Sequence, residues 1–203
     1  MVTWPWLVPG PLVVDEIDGL SALIEALSAH GAMVVLDEVT VAGVPCDPFA
    51  LCAGLSASAP VPLGVLARVD GRRLPTVLGR ELIALDHVSE GRCGVVLVGE
   101  QPALAECERI LSAMCHDGAV EGSASSAMPA PFHFENRPGP TRQGGPPVVV
   151  VDQKVGRASH GGAEVEVLEQ PDGWWGEPST AAAPAGLVVR QGALGASPSR
   201  WRP

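Results

Sequence analysis

The residues of this sequence that are best suited to proton transfer are two adjacent carboxylates and one histidine. Asp37 and Glu38 directly follow a short apolar run, so either one is a candidate general base beside a substrate. His133 lies between two phenylalanines in a long polar stretch, where a loop imidazole can contact a ligand. These three residues are the candidate catalytic groups. A solvated acidic surface is the alternative role of Asp37 and Glu38.

Charge and composition exclude several classes of function. The formal net charge is −10 and Lys154 is the single lysine, so no basic stripe is available to neutralise a nucleic-acid backbone. The five cysteines include no CxxC pair, which argues against a zinc ribbon and favours buried free thiols. No metal site is expected from these patterns.

The apolar segments argue against a membrane protein. No run of about 18 uninterrupted apolar residues occurs, so no membrane-spanning helix is expected. The start of the chain lacks the basic residues that open a secretory signal, and Pro5, Pro9 and Pro11 interrupt its apolar run. We therefore expect a cytoplasmic protein with no membrane or nucleic-acid partner.

Helical and strand patterns alternate along the chain. Apolar residues recur every three or four positions over 17–27, which indicates a helix, and the apolar run 32–36 indicates a buried strand. The alternation continues with predicted helices over 48–58, 75–89 and 102–115, and predicted strands over 62–67, 95–98 and 148–151. Strands alternating with helices of this length predict an α/β fold with a parallel sheet or a β/α barrel.

Two segments interrupt this pattern. Residues 118–145 are rich in Gly, Ser, Ala and Pro and are expected to form an irregular loop or excursion within a single domain over 1–176. Residues 177–203 form a Pro/Ala/Gly-rich tail that is expected to be poorly ordered, with a strand predicted only at 187–189.

One helix and the turn after it resemble the luciferase-like monooxygenases. In that family an Arg-x-Pro opens a helix that closes with Leu-Asp-x-x-Ser-x-Gly-Arg. The matching residues are Arg73, Pro75, Leu85, Asp86, Ser89, Gly91 and Arg92. Weaker matches follow the same order, at Asp37, Asp47-Pro48, Pro146-Pro147 and Asp172-Gly173-Trp174. The resemblance covers roughly residues 17–176.

The resemblance implies an incomplete TIM-type (β/α) barrel with about five or six parallel strands and outer helices. It further implies an oxidoreductase in which reduced FMN or deazaflavin acts on a small organic substrate, by hydride transfer or oxygen activation. Such barrels carry their chemistry at the carboxyl ends of the strands. The candidate cofactor-binding residues there are Arg68, Gly99, Glu100, Asp152 and Trp174. Asp86, Ser89 and Arg92 would instead stabilise the opposite end of the barrel.

Departures from the family leave a second hypothesis open. Val96 and Val98 occupy positions at which the family has glycines beside the flat ring of the cofactor. Asp152 occupies the position at which a Gly/Ser stretch of the family contacts the cofactor phosphate. The alternative is therefore a non-catalytic barrel remnant that has lost the cofactor and serves as a partner subunit or binding protein. Six strands leave two open edges, so we expect a homodimer or a complex with a full-length homologous subunit.

Overall fold

A mixed sheet of nine strands forms the centre of the molecule, and four helices pack on it. The computed structural model describes residues 6–8, 12–28, 33–58, 61–154, 157–160, 163–165, 167–170 and 187–190. The helices are α1 (Ile17–Ser28), α2 (Pro48–Ser58), α3 (Pro75–Val88) and α4 (Ala103–His116). The strands of the large sheet are β1 (Trp6–Val8), β3 (Met33–Leu36), β6 (Leu63–Val69), β7 (Cys93–Gly99), β10 (Val148–Asp152), β11 (Arg157–His160), β12 (Ala163–Val165), β13 (Val167–Gln170) and β14 (Leu187–Arg190).

The strand order is β12-β11-β10-β7-β6-β3-β1-β14-β13. The seven strands from β10 to β13 run parallel to their neighbours, whereas β11 and β12 join the sheet by antiparallel pairing. The α/β class is thus confirmed. The described residues form seven parallel strands, whereas five or six were expected. The additional strands are β1 and β13, which the sequence pattern did not predict.

All four helices cover the same face of the sheet. Val95 and Leu97 of β7 belong to the cluster formed with buried residues of the four helices, among them Leu20, Leu55, Leu82 and Leu104. Because side chains alternate along a strand, Val96 and Val98 point to the opposite face, yet they are also buried. Strands buried on both faces carry continuous apolar runs, as these valine-rich segments do.

Two smaller sheets flank the large one. The first consists of β2 (Leu12–Val14), β4 (Val39–Val41) and β5 (Val44–Cys46). The second is an antiparallel pair, β8 (Ala119–Gly122) and β9 (Phe132–Glu135), so residues 118–145 are not irregular throughout as expected. The pair packs Val120 and its phenylalanines against Ile110 and Met114 of α4, in a cluster separate from the main core.

The turn between α3 and β7 is fixed by a buried carboxylate. Asp86 is fully buried, and its Oδ2 accepts hydrogen bonds from Thr141 N at 2.7 Å and Thr141 Oγ1 at 2.6 Å. Gly91 has φ +78°, a left-handed conformation that favours glycine. The family-like Asp86 and Gly91 therefore stabilise the end of the strands opposite to the carboxyl ends, in agreement with the structural role expected for this turn.

A second family-like pair joins two helix starts. Arg73 Nη2 lies 2.6 Å from Asp47 Oδ2, while Asp47 Oδ1 accepts the backbone N–H of Ala50 at 3.0 Å. Burial raises the pKa of Asp47, but its hydrogen bonds from Arg73 and Ala50 outweigh burial and hold the pKa below its ordinary value. Asp47 thereby caps α2 and links it to the residue before α3.

We expect Leu97→Ala to lower the free energy of unfolding by about 2–5 kcal/mol, because Leu97 is fully buried between β7 and the helices. Val88→Ala is the matched control, since Val88 is 46% exposed at the end of α3 and should change stability by less than about 1 kcal/mol. Urea denaturation followed by circular dichroism measures both. Equal losses for the two variants would contradict the described core.

Candidate functional site

An open cleft of about 390 Å³ lies at the carboxyl ends of β6 and β7. Ligands of parallel sheets and β/α barrels bind at this end, because residues from several strands meet there. The described lining residues are Arg68, Val69, Asp70, Val98, Gly99, Glu100, Gln101, Ala103 and Gln153. The cleft is the candidate functional site.

A short ion pair stands at the mouth of the cleft. Arg68 Nη2 lies 2.7 Å from Oδ2 of Asp37, whose side chain is 4% exposed, whereas the side chain of Arg68 is one-third (33%) exposed. The two residues meet because β3 and β6 are neighbours in the sheet. Arg68 lines the cleft, and the buried carboxylate of Asp37 fixes the position of its guanidinium.

Burial raises the pKa of Asp37 to about 6, although the charge of Arg68 lowers it and that of Glu38 raises it. A carboxyl group with this pKa exchanges its proton near neutral pH, which is the property required of a general acid or base. Asp37 contacts Arg68, which lines the cleft, and its catalytic role stays a prediction.

The floor of the cleft is apolar and is occupied by protein side chains. Val98 is 1% exposed and lines the cleft, whereas Val96 lies one layer deeper and is absent from the described lining. A Cβ placed on Gly99 would lie 2.9 Å from Cβ of Val69, so packing of the neighbouring strand accounts for this glycine. Gly99 therefore provides no vacant space for a ligand ring.

The structure brings together some of the predicted site residues. Arg68, Gly99 and Glu100 line the cleft, and Asp37 contacts Arg68. Asp152 ends β10 and is followed by the lining residue Gln153, whose N–H donates to Gly99 O at 2.9 Å.

Other predicted residues stand elsewhere. Glu38 is exposed and accepts the N–H of Leu12 at 2.8 Å through its backbone carbonyl, outside the cleft lining. His133 belongs to the β8–β9 pair, where its ring nitrogens lie 3.6 Å from Glu121 and 3.9 Å from Glu135. The pair packs against Ile110 and Met114 of α4, and His133 is not among the described lining residues of the cleft. Trp174 lies outside the described residues.

The sequence prediction missed five of the lining residues: Val69, Asp70, Gln101, Ala103 and Gln153. Asp70 follows β6 directly, but the strand was predicted to end at residue 67, two residues before its observed end at Val69. Gln153 was seen only as part of a polar turn after the strand that ends at Asp152. A correctly placed end of β6 would have revealed Asp70, since residues just beyond parallel strands are the usual ligand-binding positions.

Four of the five cysteines are not available as nucleophiles. Cys52, Cys93, Cys107 and Cys115 are buried free thiols, as expected. Burial raises the pKa of Cys93, Cys107 and Cys115 to about 12, and it raises that of Cys52 as well. A thiol that stays protonated at neutral pH is unreactive.

Neither a metal cluster nor a membrane span is found in the part of the chain that the structure describes. No group of three or more His, Cys, Asp or Glu side chains there is arranged to hold a metal ion. No described helix combines the length and the apolar character needed to cross a bilayer. The cytoplasmic location stays a prediction.

The described residues of the cleft do not fit FMN or a deazaflavin. Asp70 and Glu100 line the cleft and Asp152 ends the next strand, so carboxylates surround the position where the cofactor phosphate would be expected. Arg68 is the only cationic side chain among the described lining residues, and it is already paired with Asp37. The side chain of Val98 fills the floor on which a flat ring would lie.

A scan against protein-family models and a search of curated proteins found no match for this chain. The likeness to the luciferase-like family therefore rests on the residues quoted above and is a hypothesis.

We expect the unfolding free energy to depend on the Asp37 proton. The pKa of Asp37 is about 6 in the folded protein and 3.8 for an ordinary aspartate, so the folded state binds more protons between about pH 4 and 6. Stability should therefore fall as the pH rises through this interval, by up to about 3 kcal/mol. Asp37→Asn should remove that contribution.

The measurement is chemical denaturation at several pH values between 4 and 7. Asp70→Asn is the control, because Asp70 is exposed. This variant should show the same dependence of the unfolding free energy on pH as the wild type. Superimposable profiles for the wild type and Asp37→Asn would show that Asp37 titrates normally.

Proposed function

We propose that this chain is a small-molecule-binding β/α barrel related to the luciferase-like oxidoreductases, which has kept the ligand cleft and lost the cofactor site. The cleft at the carboxyl ends of β6 and β7 carries this proposal. It combines an apolar floor at Val98 with polar groups at its rim and the fixed guanidinium of Arg68. An apolar pocket with a few convergent polar groups is the usual form of a small-molecule site.

Strand order supports the barrel. Strands β1, β3, β6, β7 and β10 are neighbours in the order in which they occur in the sequence, and all helices cover one face. A β/α barrel has both properties, whereas a doubly wound sheet reverses its order and carries helices on both faces.

The two ends of the sheet support closure of the barrel. Its edge strands β12 and β13 are separated by a single residue, so Val165 and Val167 are at most about 7 Å apart. A flat sheet of nine strands would separate its edges by roughly 38 Å at a spacing of about 4.8 Å. The sheet must therefore roll to bring its two edges together.

The direction of the edge strands supports the same conclusion. Two antiparallel pairings, β10 with β11 and β11 with β12, make β12 run in the direction of β10, as β13 also does. β12 and β13 then act as the two halves of one interrupted strand, of which the first pairs with β11 and the second with β14. Counted in this way the ring has eight strands, the number of a TIM-type barrel.

This closure removes the physical reason for a partner subunit. The expected homodimer or complex with a full-length homologue followed from two open edges of a six-stranded sheet. In the proposed ring the strands from β11 to β14 have a neighbour on each side, and the open edges are reduced to β12 and β13, each of which is paired on one side. We therefore favour a binding protein that acts as a monomer.

A luciferase-like oxidoreductase using reduced FMN or deazaflavin on a small organic substrate is the second candidate. Two observations favour it: the family-like residues Asp47 and Arg73 are bonded to each other, and Asp37 has a pKa suited to proton transfer. The carboxylates and Val98 at the cleft oppose it. Binding of the cofactor decides between the two candidates.

Closure can be tested by hydrogen exchange. We expect the amides of residues 163–165 and 167–170 to be protected to the level of β11 and β14, because each half of the strand is paired. Light scattering after size exclusion should give a monomer at every dilution. Rapid exchange of these amides together with a concentration-dependent dimer would indicate an open sheet whose edges are covered by a second chain.

Cofactor binding is tested by flavin fluorescence. We expect purified protein to be colourless and micromolar FMN to remain unquenched. Val98→Ala should raise the affinity for riboflavin, which lacks the phosphate, because it opens the cleft floor. Val96→Ala is the matched control, since it removes the same atoms one layer deeper.

Tight quenching of FMN by the unaltered chain would overturn the proposal and favour the oxidoreductase. An equal response of riboflavin to the two alanine variants would show that binding depends on general loosening of the core and not on the cleft.

A further inference from the structure

We draw no further inference here: the strongest candidate, the exposed apolar face that Leu74, Val77 and Val88 form along α3, carries none because nothing in the described part of the structure shows what covers it.

Discussion

Burial of both faces of the central strands is the constraint on which the rest of this structure depends. Every residue of β7 is buried, and its two faces carry Val95 and Leu97 on one side and Val96 and Val98 on the other. The helices cover only the first side. The valines of the second side are buried as well. In the barrel that we propose, the curved sheet itself covers these valines, and polar groups are confined to the strand ends.

Helices and strand cores could be predicted from the sequence because they depend on local patterns. Helix α2 was predicted with both of its observed ends, and the start of α3 at Pro75 was also correct, since proline fixes the first turn. The end of β6 was not, because Arg68 and Val69 continue the strand beyond its apolar run. The short strands β8 and β9 were missed for a similar reason, since polar residues alternate with the few apolar ones.

The candidate site could be predicted only in part, because its central contact is not local. Asp37 and Arg68 are 31 residues apart, and only the pairing of β3 with β6 brings them together. Each residue taken alone is predicted only to lie at the carboxyl ends of the strands. Together they form an ion pair in which burial raises the pKa of the acid and the carboxylate holds one nitrogen of the guanidinium. His133 shows the converse, since the segment predicted as a loop forms the β8–β9 pair against α4 and contributes no described residue to the cleft lining.

The contact between Asp86 and Thr141 lies at the opposite end of the strands from the cleft, and no residue belongs to both. Substitutions in contacts that share no partner are close to additive in their effect on stability. The lining of the cleft is therefore open to redesign without loosening the turn that anchors α3 and β7. A single round of mutagenesis at Asp70, Glu100 and Gln101 would sample different ligand charges on an unchanged frame, which makes this chain a small scaffold for engineered recognition.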